Sequence, residues 1–131
     1  MSHTRTARLL GIGTATPQGR MDQREAAEMV ASIGSVTPSR ARAMAQLFER
    51  TGIETRAMAI IEGRTQKFYN GTVPDTEHRM REFQLRAPGL AHDACSRAME
   101  RASVQPRRVT HLVTASCTGL AAPGVDISVI R

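Results

Sequence analysis

Residues 109–115, Val-Thr-His-Leu-Val-Thr-Ala, carry the most apolar strand pattern in the chain. A strand of that kind is buried on both faces, so it needs sheet neighbours and covering helices. The chain offers few. Residues 8–13 (Arg-Leu-Leu-Gly-Ile-Gly) read as a short buried strand ended by Thr-Ala-Thr-Pro, and residues 53–61 as another. About three strands stand against a usual sheet of ~5–6. The expectation is an α/β chain that represents the front part of a larger domain and stops inside an incipient helix.

Three helical segments lie between these strands. Asp22 suits an N-cap for a helix whose Ala26, Met29, Val30 and Ile33 share one face, with Gly34 closing it. Thr37 and Pro38 open a second helix, since proline fits the first turn. Its inward face is Ala41, Met44, Ala45 and Phe48, and Gly52 is its stop. Residues 62–75 are a loop. From Thr76 to about Ala102 a long helix carries the stripe Met80, Phe83, Ala87, Leu90, Ala91, Ala94, Cys95, Ala98 and Met99. Pro88-Gly89 is expected to kink or divide it.

Composition excludes several functions. No apolar run approaches the ~18 residues that span a bilayer, and the polar start is no signal peptide, so a cytoplasmic protein without a membrane partner is expected. Cys95 and Cys117 are too few for a disulfide framework, and no Cys/His cluster has zinc spacing. The net charge is +6, with Lys67 the only lysine. The arginines are spread along the chain and several pair with acids at helical spacing, as in Glu77/Arg81. With one tyrosine and three phenylalanines, a stacking platform for nucleic acid is hard to build.

Several apparent motifs have plain readings. Gly11-Ile-Gly13 lacks a third glycine and a following helix, so a tight strand exit is preferred to a dinucleotide site. Asn70-Gly71-Thr72 is a loop. Cys95 is a structural thiol on the helical stripe, His92 a surface or boundary residue, and His111 a residue of the strand end. His3 and His78 have no evident partner. Cys117 is the one serious nucleophile candidate, because it follows a buried strand, where α/β folds present functional groups. A nucleophilic cysteine needs a lowered pKa, for example from a helix N-terminus. Pro123 argues against a helix beginning at Thr118. A loop through Ala122, with the helix starting near Pro123, leaves Cys117 without that dipole and favours a pocket-lining thiol.

Several stretches together resemble the type III polyketide synthases, the chalcone synthase-like enzymes. These are Ile12-Gly-Thr-Ala-Thr-Pro17, Arg50-Thr-Gly-Ile-Glu-Thr-Arg56, Thr76-Glu-His-Arg-Met80 with Ala87-Pro88, and Thr110-His-Leu-Val113 followed by Ser116-Cys-Thr-Gly119 and Pro123-Gly-Val-Asp126. The resemblance covers about residues 8–131, with residues 1–7 as a disordered tail. It implies the incomplete N-terminal half of a thiolase-like α-β-α-β-α fold, truncated at its C-terminus. It also implies homodimers and decarboxylative condensation of a starter acyl-CoA with malonyl-CoA, coenzyme A thioesters being substrates and no cofactor being required. The family's catalytic cysteine lies beyond the Pro-Gly-x-Asp segment, and its histidine and asparagine lie in the second half. No catalytic residue is therefore implied in this chain, Cys117 remaining the alternative nucleophile.

By the same resemblance Cys117 and Thr118 line the acyl pocket, and Ala122 takes the place of a methionine that reaches across the dimer. Arg50 matches one of three basic positions for coenzyme A phosphates, with Ala43 and Gln46 at the others and Arg42 one residue out of register. Two other readings compete: a condensing enzyme of fatty-acid initiation, and a small basic binding protein. The isolated chain is expected to be poorly stable, with an uncovered sheet face.

Overall fold

The computed structural model describes residues 6–33, 36–60, 68–69 and 72–130. Residues 1–5 with His3, Gly34, residues 61–67 and Asn70-Gly71 lie outside the described residues, and so do the expectations placed on them. The chain divides into two compact units, Thr16–Arg79 and Met1–Ala15 with Met80–Arg131.

The first of these units is built on one antiparallel ladder. Strand β1 (Gly19–Asp22) pairs with β2 (Thr55–Met58), Gly19 opposite Met58 and Asp22 opposite Thr55. Helix α1 (Gln23–Ala31) follows β1 directly. Asp22 holds the N-cap position with extended backbone, although its side chain makes no capping hydrogen bond. Helix α2 (Pro38–Arg50) starts as its sequence requires: Thr37 accepts from the Arg40 amide at 3.4 Å, and Pro38 occupies the first turn. Gly52, just beyond α2, has φ +68°, a left-handed conformation that costs glycine little.

The buried apolar side chains among those described are few: Met21, Ala26, Ala27 and Pro74. Met29, Val30 and the expected inward face of α2 (Ala41, Met44, Ala45, Phe48) are half-buried. Gln23, only 7% exposed, ties the pieces together. Its Nε2 donates to the Phe48 carbonyl and to Thr51 Oγ1, both at 2.9 Å, and its Oε1 accepts from Arg56 Nε at 2.7 Å. Its backbone N–H reaches the Glu54 carbonyl at 2.9 Å. The Arg56 guanidinium also lies over the Phe48 ring, 4.9 Å from its centroid.

The long helix α3 (Thr76–Ala102) has the bounds that its periodicity implied. Asp75 caps it, its Oδ1 accepting from the His78 amide at 2.7 Å. Pro88 lies inside and does not divide it. A proline removes one hydrogen bond, and the leucine, alanine and arginine residues around this one favour the helix on both sides. Every residue of the expected stripe is half-buried.

Helix α3 ends in a Schellman arrangement. Val104 N–H donates to the Met99 carbonyl at 2.9 Å and Ser103 N–H to the Glu100 carbonyl at 3.0 Å. Ser103 carries the left-handed conformation this needs, with φ +52°. A side chain there costs energy that glycine avoids. We expect Ser103→Gly to stabilise the protein by about 0.5–1 kcal/mol, read as an upward shift of the urea midpoint at unchanged slope. A lower midpoint contradicts this.

In the second unit, residues 11–14 lie against α3 on a ridge of small residues. A Cβ at Gly11 would sit 2.6 Å from the Ala98 carbonyl oxygen and 3.1 Å from Ala102 Cβ. One at Gly13 would run into the Ala94 carbonyl and lie 2.5 Å from the Ala98 amide. Gly11 and Gly13 share a face of the extended chain, and Ala94, Ala98 and Ala102 share a face of the helix. The carbonyls that follow those glycines are gripped: Arg101 Nη1 donates to Ile12 O at 2.7 Å, and Arg97 Nη1 to Thr14 O at 2.6 Å. The Gly-x-Gly pair thus marks close packing against a helix, which corrects its reading as a tight strand exit.

The expected strands at residues 8–13 and 109–115 join no ladder among the described residues. A strand is defined by the partner that accepts and donates its backbone hydrogen bonds. Side chains along both runs are correspondingly open, with Leu9 79% and Val113 89% exposed. A single turn of 3₁₀-helix (Pro106–Arg108) leads into the second run, and helix α4 (Val125–Ile130) follows it. No helix among the described residues is long and apolar enough to cross a membrane.

Candidate acyl-pocket turn

The turn between residue 115 and α4 is fastened on one side only. Ser116 Oγ accepts from the Gly119 amide at 3.0 Å, closing a local loop. The Leu120 amide donates to Met80 Sδ of α3 at 3.2 Å. Gly119 is buried directly against the Phe83 ring, which occupies the space a Cβ would need. The Met80 and Phe83 contacts face α3. Cys117, Thr118 and Ala122 are exposed. The Ala122–Pro123 peptide is cis.

A groove of about 470 Å³ lies between α3 and this turn, lined by Phe83, Ala87 and Ala91 from the helix and by Ser116, Gly119 and Ala121 among others from the turn. A groove of that size falls within the usual range for small-molecule sites. Half of its lining is alanine and glycine, and Thr114, Ser116 and Asp126 supply the polar side chains.

Helix α4 begins at Val125, beyond Pro123, so no helix starts at Thr118 and no helix N-terminus lies beneath Cys117. Both cysteines are free thiols, Cys95 half-buried and Cys117 exposed. Histidines do not activate either in the contacts described. His92 Nδ1 lies 3.9 Å from Asp93 at the surface, and His111 Nδ1 is 2.9 Å from Thr110 Oγ1. Among the described residues no group of three or more His, Cys, Asp or Glu could hold a metal ion.

Arg50 belongs to the other unit, where it is the exposed last residue of α2. Ala43 and Gln46 are exposed on the same helix, and Arg42 Nε donates to the Pro38 carbonyl at 3.4 Å. Met80 and Phe83 were expected only as stripe residues, and their hold on the turn was not foreseen. The signal was the pairing of Phe83 with a glycine some forty residues on, which spacing within one segment does not reveal.

No protein-family model matches the chain. It is 30% identical over 132 residues to the alpha-pyrone synthesis polyketide synthase-like Pks18 of Mycobacterium tuberculosis, covering 98% of this chain and 33% of that protein. It is 27% identical over 124 residues to the type III polyketide synthase pspB of Penicillium soppii, covering 94% and 31%. Among solved structures, a fungal type III polyketide synthase, ORAS, superposes with a TM-score of 0.75 at 24% identity, over 93% of this chain and 32% of that one. PKS-I of the brown alga Ectocarpus siliculosus gives 0.72 at 22% identity, over 93% and 35%. At those identities the structures establish the fold, a partial thiolase-like one. The chain spans about a third of the length of the curated relatives it matches. In sequence and in fold, this chain is similar to one third of a type III polyketide synthase.

Proposed function

We propose that the chain serves as the N-terminal part of an acyltransferase that extends a starter acyl-CoA with malonyl-CoA. In this reading a cysteine thiolate outside the chain takes the acyl group and releases coenzyme A. Malonyl-CoA then loses carbon dioxide, and the resulting enolate carbon attacks the acyl thioester. The enzyme thiolate leaves, and a β-ketoacyl-CoA two carbons longer than the starter is formed. The 131 residues alone lack the Cys-His-Asn set and are inactive by themselves.

Cys117 and Thr118 line the acyl pocket, and Ala122, smaller than methionine, leaves the wall toward a second subunit more open. Arg50 offers its guanidinium fork to a coenzyme A phosphate. The complete enzyme is a cytoplasmic homodimer. The observation that carries this reading is the match to Pks18 across 98% of the chain.

The experiment is to supply acyl-CoA starters and radiolabelled malonyl-CoA to the complete protein encoded at the locus. Labelled polyketide and carbon dioxide are expected. Arg50→Ala should raise KM for the thioester about tenfold, since a charge-assisted phosphate contact is worth about 1.5 kcal/mol or more, with kcat little changed. Turnover with acyl carrier protein substrates and none with free coenzyme A thioesters would favour a fatty-acid-initiation enzyme instead.

A further inference from the structure

We propose that Gln23 is a positioning residue: it clamps the last turn of α2 and so holds Arg50 ready for a coenzyme A phosphate. The phosphate role of Arg50 rests on the function proposed above. The clamp itself rests on geometry. A helix ends with carbonyls that have no partner within it, and its last turn frays unless other groups take them up. In α2 the Phe48 carbonyl accepts three times: from the Thr51 amide at 3.4 Å, from Thr51 Oγ1 at 2.7 Å and from Gln23 Nε2 at 2.9 Å. Gln23 Nε2 also donates to Thr51 Oγ1. Arg50 lies between the two residues that this one amide holds.

The clamp is itself anchored. Gln23 is buried, its backbone N–H donates to the Glu54 carbonyl next to β2, and its Oε1 accepts from Arg56 Nε of β2. The Arg56 guanidinium covers the Phe48 ring. The end of α2 is thereby tied to the β1–β2 ladder. The Arg50 guanidinium makes no hydrogen bond or ion pair among the described residues, and the last two turns of α2 carry no other basic residue. On a frayed turn such a group would have to be ordered at every binding event. On a clamped turn that entropy is lost once, during folding.

The test reads coenzyme A binding by isothermal titration calorimetry in the complete protein, in Gln23→Met, in Arg50→Ala and in the double variant. Arg50→Ala should raise Kd about tenfold, the loss of one charge-assisted contact. Gln23→Met is similar in size but cannot donate, and should raise Kd about threefold because the turn is then ordered on binding. The double variant should bind as Arg50→Ala does, since a clamp has no effect once the group it positions is gone. In turnover, Gln23→Met should raise KM for acyl-CoA by the same factor with kcat nearly constant. A merely structural role would lower the active fraction instead, and with it kcat, at constant KM.

If Gln23→Met fails to fold, Gln23→Glu decides by the same comparison, because its carboxylate keeps Arg56 as a partner and loses only the donor. An unchanged Kd in the folded variant overturns the proposal, and so do effects that multiply in the double variant. Arg50→Ala with the parent's affinity removes the phosphate contact and the role of Gln23 with it. A parent protein that binds coenzyme A through Arg50 yet makes no polyketide defeats the proposed condensation, while the cycle still decides whether Gln23 is the clamp.

Discussion

Gly13→Val should destabilise the protein by about 3 kcal/mol or more, among the larger effects of overpacking. A Cβ at this position meets the backbone of Ala94 and Ala98, and helix backbone cannot swing aside as a side chain can. The extended segment must lift from α3, and the Arg97–Thr14 and Arg101–Ile12 hydrogen bonds stretch with it. Gly89→Ala supplies the contrast. Gly89 lies within α3 with nothing within 4 Å of a built Cβ, so alanine there should stabilise by about 0.5–1 kcal/mol. Urea unfolding followed by far-ultraviolet circular dichroism reads both. A Gly13→Val midpoint within error of the parent would sink the packing account.

Gln23→Leu should cost about 3 kcal/mol. Leucine is similar in size and apolar, which suits the burial of the site. It cannot replace the donor to Phe48 O and Thr51 Oγ1 or the acceptor for Arg56 Nε. Arg56 Nε loses its acceptor and Thr51 Oγ1 a donor in a half-buried network, while the Phe48 carbonyl keeps the Thr51 hydroxyl at 2.7 Å, and each unmet group costs about 1–3 kcal/mol. The Arg56 guanidinium retains its ring contact with Phe48, which limits the loss. The Arg56→Met single variant and the Gln23→Leu/Arg56→Met pair complete a double-mutant cycle. A coupling of at least ~1 kcal/mol is expected for partners in one network. Additive effects would show that the amide and guanidinium act independently.

What the sequence made legible follows from how local each feature is. Thr37-Pro38, Gly52 and the run from Thr76 to Ala102 carry their own start and stop chemistry, so the helices lie where they were expected. The placement of Pro123 correctly kept Thr118 out of a helix. Strands were harder, since half of each lies in a partner. β1 has Met21 as its one buried apolar residue and ends on the cap of the next helix, so no period-2 pattern announced it. Residues 109–115 have the opposite fate: the pattern is strong, yet the described chain provides no ladder.

The site divides in the same way. The turn bearing Cys117 was visible because prolines and glycines punctuate it. The Phe83–Gly119 contact was not, because it joins residues on separate elements. Gln23 resembled an ordinary polar residue in a helix's first turn, and nothing beside it in sequence forecasts Phe48, Thr51 or Arg56 as partners.

The grip of Arg97 and Arg101 on the carbonyls of Thr14 and Ile12 also sets an order of events on the ribosome. The bonded residues are 83 and 89 positions apart. At synthesis rates of about 5–20 residues per second, the leading segment waits roughly 4–18 s before its helix has been made. Gly11 and Gly13 have no ridge to pack against during that interval. The close packing of this segment is therefore timed by the synthesis of the alanine face of α3.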